Sequence, residues 1–466
     1  MEKKAVMGLE VHVQFNTKSK LFCGCSTSEA EPNSHCCETC LGMPGSKPVL
    51  NKKAVDFALK LALALGCKVN NEFFFSRKTY FYPDLAKDYQ ITQFEIPVGE
   101  KGGVKLPSGK GIRIRRVHLE EDPAALVHES GLHSSAYSLI DYNRSGIPLC
   151  EIVTEPDFET PEECREFLDE LLKTIEYLEV FEQGKNTLKV DSNVSIVGSE
   201  RVEVKNISGF RFVEKALEYE IARQRKVLSE GKKVERETRS FDEKSLVTKR
   251  LRLKETEEDY GYIFDPDLVK TEVSEAHIAE LKKSLPELHS QKAGRFGKEF
   301  GLDDYTSKVL SSDATLGRLF EETAKSVEPN LAAAFLTREL LAIANRAGQS
   351  LKELGIDADK ISGLLKLLER GKVSEKNAKE AMIAYVNEKV APLDYLKKND
   401  LLNDAGEGDL DAAIAKVIAA NGAAADDFRK GGEKALNYLV GIAMRELRGK
   451  ADAKQLRERM VEALKK

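Results

Sequence analysis

The chain has 466 residues, of which 41% are hydrophobic and 32% are charged, and its formal net charge is −5. This length exceeds the roughly 250–300 residues at which one hydrophobic core stops growing, so we predict two or three domains. The charge excludes a wholly basic nucleic-acid binder, and the absence of a signal peptide or a long apolar run predicts a cytoplasmic protein with no membrane partner.

The first half of the chain is predicted to be rich in strands, with a few helices. Apolar and polar residues alternate over 9–15, which is the period of a half-buried strand. A helix is predicted to begin after Asn51, its N-cap, and to stop at Gly66. A capping box at Thr160 predicts a second helix, on whose inner face Cys164 packs.

Past about Asp267 the pattern becomes helical and stays helical to the end of the chain. This shift is the main predicted domain boundary, and a loop over 399–411 marks a weaker one. The predicted fold class is therefore α+β, with a β-rich N-terminal domain, a helical domain and a small helical tail domain. The predicted ranges are 1–275, 276–400 and 401–466.

The cysteines near the N-terminus have the spacing of metal ligands. Cys23 and Cys25 form one pair, and Cys37 and Cys40 form a second pair with knuckle spacing that Cys36 does not share. Four thiolates are the set that a structural zinc ion prefers, so we predict a zinc loop over these residues. The alternative is a group of buried or adventitious thiols, and a zinc loop alone would also suit a nucleic-acid-binding ribbon.

Two groups of acidic residues lie on predicted strands. Glu10 and His12 are two residues apart, so both project to one face, with Cα atoms about 6.5–7 Å apart, and they suit a shared metal ion. Glu120, Glu121 and Asp122 follow one another at the end of a strand. Taken alone, such a run is more typical of a solvated strand end or turn than of a metal site.

A third polar group depends on a predicted hairpin around Gly198. A three-residue loop would place Asp191 opposite Lys205 and Asn193 opposite Glu203. On an exposed sheet this face would be a salt-bridged exterior, whereas in a cavity it could hold a metal ion and nucleotide phosphates.

Common catalytic motifs do not match this sequence. The glycine-rich stretch 103–111 lacks the spacing of a P-loop and is predicted to be a hairpin loop. There is no nucleophile elbow, and Cys150 is predicted to be a buried strand residue, so a covalent hydrolase is unsupported.

Several segments together resemble the B-subunit family of the glutamyl/aspartyl-tRNA amidotransferases, in its zinc-containing branch. In chain order they are 8–14, 43–45 with 48–51, 77–85, 89–93, 118–122, 141–149, 204–206, 236–239 and 441–451. Segment 260–268 is similar to archaeal members and to the related E subunit, but the chain is too short for the domain inserted in the E subunit.

The resemblance implies that the N-terminal domain is a cradle-like catalytic domain that uses ATP to phosphorylate the side-chain carboxylate of Glu-tRNA or Asp-tRNA. It implies Mg²⁺ or Mn²⁺ held by Glu10, His12, Glu120 and Glu121. Asp191 and Glu203 would hold a second metal ion or water-mediated contacts, and Lys205 and Arg144 would bind phosphate. Residues at the substrate, ATP or ammonia route would be Tyr80, Tyr82, Lys87 and Asn143.

The resemblance also implies partners. Ammonia would come from glutamine hydrolysis on an A subunit, a C subunit would clamp the two chains, and the helical half would hold the mischarged tRNA. The tail carries a local basic concentration at Arg429, Lys430, Lys434, Arg445, Arg448, Lys450, Lys454, Arg457 and Arg459. The competing hypothesis is a non-catalytic tRNA-binding scaffold with a zinc ribbon.

Overall fold

The structure is a computed structural model, and it describes residues 3–127, 137–253, 261–403, 407–429, 432–447, 451 and 453–465. The chain forms two compact units, one that ends at Leu288 and one that begins at His289. The first combines a large sheet with helices and the second is helical, which confirms the predicted α+β class.

The first unit is built on one twelve-stranded mixed sheet. The strands of the first unit are β1 (Ala5–Gln14), β2 (Lys68–Val69), β3 (Glu72–Phe73), β4 (Ser76–Thr79), β5 (Tyr89–Thr92), β6 (Gly99–Lys105), β7 (Gly111–Glu121), β8 (Ala125–Val127), β9 (Leu139–Asp141), β10 (Pro148–Thr154), β11 (Leu188–Ile196), β12 (Val202–Ser208), β13 (Glu237–Asp242), β14 (Val247–Leu253), β15 (Gly261–Phe264) and β16 (Thr271–Glu272). The main strand order of the large sheet is β14-β13-β12-β11-β1-β10-β7-β5-β4-β15, with β6 also paired to β7, and β2 paired to β6. The neighbours are antiparallel except for the parallel pair β12 and β13.

The core of the first unit lies on the apolar face of this sheet. Leu9, Val11 and Val13 are buried there, as their alternation predicted. The same core includes apolar residues of α1 (Lys52–Ala64), α2 (Pro161–Tyr177) and α3 (Phe210–Ser229). Because one face of the central strands packs in this core, their polar side chains project to the other face.

Helix ends in the first unit confirm the predicted capping signals. The Asn51 side chain accepts hydrogen bonds from the N–H groups of Lys53 and Ala54, and Gly66 follows α1 with a φ of +67°. Thr160 forms the predicted capping box, and Cys164 is fully buried. Stretch 103–111 contains the turn between β6 and β7, as predicted.

The first unit extends beyond the predicted limit at residue 275. Helix α4 (Glu275–Lys283) places Leu281 in the core, and Nε2 of its His277 lies 2.8 Å from Oδ1 of Asp56 on α1. A helix that shares both a core and a side-chain hydrogen bond with α1 belongs to that unit.

The second unit has two hydrophobic cores, one spanning Phe296–Leu396 and one spanning Leu410–Leu464. A π-helical segment, Phe335–Leu340, joins α8 and α9. Among the described residues, none of the helices has the length and apolar character needed to cross a membrane. The helices are α5 (His289–Phe300), α6 (Asp304–Ser311), α7 (Ala314–Ala324), α8 (Pro329–Ala334), α9 (Leu341–Ala347), α10 (Leu351–Leu354), α11 (Ala358–Glu369), α12 (Glu375–Glu388), α13 (Pro392–Lys398), α14 (Glu407–Ala420), α15 (Gly422–Arg429), α16 (Glu433–Glu446) and α17 (Ala453–Lys465).

Candidate active site

Five neighbouring strands, in the order β12, β11, β1, β10 and β7, gather polar side chains on one face of the sheet. β1 lies between β11 and β10, and β10 pairs in turn with β7. His12 is directly opposite Glu151, and Glu151 is directly opposite His118. Glu10 is directly opposite Asp191 on the other side of β1. Directly opposed residues project to the same face, so the pairing brings together acids and histidines that are distant in sequence.

The first group, which we call the histidine cluster, consists of His12, Glu120 and Glu151. One ligand atom from each lies within 4.8 Å of the others, and Nδ1 of His12 is 3.2 Å from Oε1 of Glu120. Burial lowers the pKa of His12, but the hydrogen bond with Glu120 and the charge of Glu151 raise it to about 10. One imidazole and two carboxylates can bind a divalent cation, whose charge would take the place of the proton.

The second group, which we call the acid cluster, consists of Glu10, Asp191 and Glu203, whose ligand oxygens also lie within 4.8 Å of one another. Nδ2 of Asn193 donates to Oε1 of Glu10 over 2.9 Å. Nζ of Lys205 is 3.4 Å from Asp191 and 3.5 Å from Glu203. Burial and the neighbouring carboxylates raise the pKa of Glu10. Carboxylates that disfavour one another's charge in this way suit a cation or a bound phosphate–metal complex.

The two clusters adjoin, because Oδ2 of Asp191 lies 4.0 Å from Nε2 of His12. The sequence predicted the pairing of Asn193 with Glu203, and the register confirms it. A bulge between Val190 and Ser192 leaves Asp191 without the predicted cross-strand pairing, although the Lys205 side chain still reaches it. The loop between β11 and β12 spans 197–201, which is odd in length as the pairing requires but longer than the three residues predicted.

The three consecutive acids at 120–122 are all buried, so the prediction of a solvated strand end is wrong. Adjacent acids remain inside because each has a separate cationic partner. Nδ1 of His12 lies 3.2 Å from Glu120, and Nζ of Lys87 lies 2.5 Å from Glu121. Nε of Arg144 lies 3.5 Å from Asp122. The arrangement removes the repulsion that three adjacent acids would otherwise suffer.

Glu121 lies apart from the two clusters. It follows Glu120 on β7 and therefore projects to the opposite face. Its Oε1 accepts hydrogen bonds from Lys87 and, over 2.8 Å, from the N–H of Ile91. Gly42 packs against this pair with a φ of +68°, and a Cβ there would overlap the Lys87 side chain. The structure thus brings Glu10, His12 and Glu120 together but gives Glu121 other contacts.

Arg144 and Asn143 hold neighbouring loops. The Arg144 guanidinium donates to the carbonyl oxygens of residues 123 and 124 over 2.9 and 2.7 Å. The Asn143 side chain donates to the carbonyl of Glu31 and accepts from the N–H of His35, each over 2.7 Å. The structure does not bring either side chain into the histidine or acid cluster.

Tyr80, Tyr82 and Lys87 all lie in the connection between β4 and β5. Tyr82 is 51% exposed, and Nζ of Lys78 lies 5.9 Å from the ring centre of Tyr80. Lys87 is largely buried against Glu121, and its Nζ is 5.3 Å from the Tyr89 ring. The connection therefore runs from an exposed aromatic segment to a buried ion pair.

Sequence reasoning missed two members of the polar face, Glu151 and His118. Nε2 of His118 lies 3.0 Å from Oε2 of Glu151. Burial raises the pKa of Glu151, but the charge and hydrogen bond of His118 outweigh that effect and lower it overall. The available signal was a single charged residue inside the apolar run 147–153, which a buried strand tolerates only beside a partner.

The predicted cysteine cluster also forms. The sulfur atoms of Cys23, Cys25, Cys37 and Cys40 lie within 4.8 Å of one another, which fits the tetrahedral four-thiolate set of zinc. Cys36 is directed elsewhere, with its Sγ 3.7 Å from Oδ1 of Asn143. The predicted choice of Cys37 over Cys36 therefore agrees with the geometry.

The thiol groups of this cluster differ in how readily they lose a proton. The hydrogen bond from Cys23 lowers the pKa of Cys40 to about 4, and nearby N–H donors add to this effect. Burial raises the pKa of Cys25 to about 11. A soft cation would remove the conflict, because it binds all four sulfurs as thiolates. Cys150 and Cys164 pack in the core as predicted, and Cys67 is a third buried cysteine of the same core.

Comparisons with known proteins agree with this arrangement. Residues 5–279 match the GatB/GatE catalytic domain, and residues 318–464 match the GatB domain. A relative from Carboxydothermus hydrogenoformans is 41% identical, and the match covers 100% of this chain and 99% of the relative. Relatives from Methanospirillum hungatei and Thermotoga maritima are 43% and 40% identical, with at least 99% of each chain covered. All three are named as the B subunit of an aspartyl/glutamyl-tRNA(Asn/Gln) amidotransferase, and the chain therefore belongs to the GatB family of amidotransferase subunits.

Proposed function

We propose that this chain uses ATP to phosphorylate the side-chain carboxylate of a glutamate or aspartate attached to the wrong tRNA. Ammonia then displaces phosphate to give the amide. The observation that supports this proposal is the pair of adjoining clusters on one sheet face, in which buried acids, His12 and Lys205 converge. Family membership supports the amidotransferase reaction itself.

The chemistry explains why such a face is needed. A carboxylate resists ammonia because its leaving group would be an oxide, whereas an acyl phosphate offers phosphate as the leaving group. Phosphoryl transfer depends on positioning and charge neutralisation more than on covalent chemistry. Mg²⁺ or Mn²⁺, when bound, would neutralise charge on the transferred phosphoryl group.

The residues present fit such an ion. His12, Glu120 and Glu151 would hold one cation, and Glu10, Asp191 and Glu203 would hold a second cation or its water ligands. Imidazole among the donors favours manganese as an alternative to magnesium. Lys205 would bind a phosphate oxygen, and the 34% exposure of its side chain beside the acid cluster supports this role. Asn193 fixes the orientation of Glu10.

The remaining predicted roles concern partners. An A subunit would supply ammonia from glutamine, and a C subunit would clamp the complex. Tyr80, Tyr82 and Lys87 would line the entry of substrate or ammonia, and Lys87 would be held there by its ion pair with Glu121. The cysteine cluster would hold zinc as a structural ion, since four protein thiolates leave no open coordination position for chemistry.

The helical tail would bind the tRNA. In the described part of the tail, Lys434, Arg445, Lys454 and Arg457 are exposed. Arg429 and Arg459 form ion pairs with Asp426 and Asp411. Lys430, Arg448 and Lys450 lie outside the described residues. The four exposed cations would contact phosphates with a salt-dependent affinity.

The competing scaffold hypothesis is less consistent with the polar face. A surface that only holds RNA phosphates would not gather five carboxylates and an imidazole against one another, because negative charge repels the RNA backbone. The scaffold hypothesis would instead require these clusters to be structural.

The test is the variant Glu10→Gln, reconstituted with wild-type A and C subunits. We expect ADP release that depends on mischarged tRNA to fall by about 10³-fold, because loss of a metal-held contact costs several kcal/mol in the transition state. Glutamine hydrolysis and tRNA binding should persist.

The matched control is Glu162→Gln, which alters an exposed acid of another acidic group on α2 and α3 and should leave ADP release unchanged. Near-normal ADP release by Glu10→Gln would favour the scaffold hypothesis. Separate assays with Glu-tRNA and Asp-tRNA would identify the substrate.

A further inference from the structure

A fully buried lysine lies against the cysteine cluster. Lys20 has no exposed surface, and its Nζ donates to Sγ of Cys40 over 3.5 Å and to the carbonyl oxygen of Tyr142 over 3.1 Å. In the described part of the chain, no carboxylate forms an ion pair with it. The thiolate side of the cluster is therefore the negative group that its ammonium contacts.

Burial of an ammonium without a counter-charge is strongly unfavourable. Four thiolates and one Zn²⁺ carry two more negative than positive charges, and this excess lies next to the Lys20 ammonium. Each group thus supplies the charge that the other lacks. The compensation needs no acid from the polar face of the sheet.

Cys40 is the sulfur on which this contact acts. It is 4% exposed, whereas Cys23, Cys25 and Cys37 are half-buried. Its Sγ also accepts a hydrogen bond from the N–H of Cys37 over 3.1 Å. Two N–H donors on one sulfur withdraw electron density from it, which makes it a weaker nucleophile.

We propose that Lys20 is the built-in counter-ion of the zinc–thiolate cluster, and that it protects the cluster from electrophiles and slows the loss of the metal. The proposal rests on the zinc site proposed above. It assigns Lys20 a role as a positioning and charge-compensating residue that does not touch the substrate.

The surrounding backbone supports this role. The N–H of Lys20 donates to the carbonyl of Cys25 over 3.0 Å, so the segment that carries the lysine also holds one pair of ligands. Ser145 Oγ donates to the carbonyl of Cys40 over 3.2 Å and holds the other pair. Lys20 thus joins the two ligand pairs through both its main chain and its ammonium.

The experiment compares the reconstituted complexes containing wild-type chain, Lys20→Met, Lys20→Arg and Lys18→Met. Zinc per chain is measured first, and zinc release to a chromogenic chelator is then followed after addition of excess N-ethylmaleimide. We expect Lys20→Met to release zinc roughly tenfold faster than wild type, at the low end of the effects typical of residues that contact metal ligands. Lys20→Arg keeps the charge and should restore most of the protection.

Lys18→Met is the matched control, because Lys18 is an exposed lysine two residues earlier on the same segment, and it should release zinc at the wild-type rate. Wild-type release by Lys20→Met would overturn the proposal. If Lys20→Met does not fold, Lys20→Gln replaces it, because glutamine keeps an N–H donor without the charge. Faster zinc release than wild type by Lys20→Gln would support the proposal, and release at the wild-type rate would overturn it. Wild-type chain without zinc would instead overturn the zinc site itself.

Discussion

The cysteine cluster and the polar face of the sheet both gather side chains of types that can bind metal ions, but they differ in chemistry. The cysteine cluster provides four soft donors, which saturate a tetrahedral ion, and its compensating cation is a buried lysine. The histidine and acid clusters provide mainly carboxylate oxygens, with half-exposed Lys205 beside them. A saturated soft site suits structure, whereas hard donors with free coordination positions suit exchange of ions with a nucleotide.

The two kinds of site also differ in how the chain builds them. Two short local segments supply the four cysteines, and each pair spans at most four residues. The histidine and acid clusters instead draw on β1, β7, β10, β11 and β12. A locally built site can form with its own loop, but the clusters on the sheet exist only when the strand register is correct.

Metal removal should separate the two sites most completely. Dialysis of the complex against EDTA, followed by assay without added metal, should abolish ADP release, because carboxylate-rich sites of this kind would exchange their ions readily. Added Mg²⁺ or Mn²⁺ should restore it, and zinc analysis should still find about one ion per chain. Loss of zinc in step with activity would contradict the division of roles.

The variant Glu151→Gln tests whether the register has identified a ligand that sequence reasoning missed. We expect about a 10³-fold fall in ADP release dependent on mischarged tRNA, comparable with Glu10→Gln, because a buried contact to the cation is lost. Zinc content should not change. A fall of less than about tenfold would remove Glu151 from the set of ligands.

Cys37→Ser and Cys36→Ser form a matched pair of adjacent substitutions. Cys37→Ser should lose zinc and lower the free energy of unfolding by several kcal/mol, because metal binding contributes to folding. Cys36→Ser should retain zinc, since Cys36 lies outside the cluster. Elemental analysis and thermal unfolding of both variants would check this, and equal zinc content in the two would contradict the assignment.

The smallest expected effect is that of Gly42→Ala, which tests whether the cysteine loop supports the Lys87–Glu121 pair. The left-handed backbone alone should cost about 1–2 kcal/mol. The overlap with Lys87 should also slow amide formation relative to ADP release, while zinc stays bound. Gly109→Ala is a control at a positive φ with open space around it, and an identical loss of amide formation there would argue against a specific contact.

The sequence was most informative where partners lie close together along the chain. It predicted the cysteine set, both helix caps and the pairing of Asn193 with Glu203, because turns and short spacings determine these features. It did not predict that Glu151 lies beside His12, because that contact depends on which strands become neighbours. It also placed Glu121 with Glu120, although adjacent strand residues project to opposite faces.

This last point has a consequence for how the protein can vary. Glu120 belongs to the histidine cluster and Glu121 to the ion pair beside the cysteine loop, so one stretch of β7 serves two sites at once. Inserting or deleting a single residue just before them would exchange the two carboxylates between the faces of the sheet. Both sites would fail together, so the two sites jointly fix the number of residues in this strand.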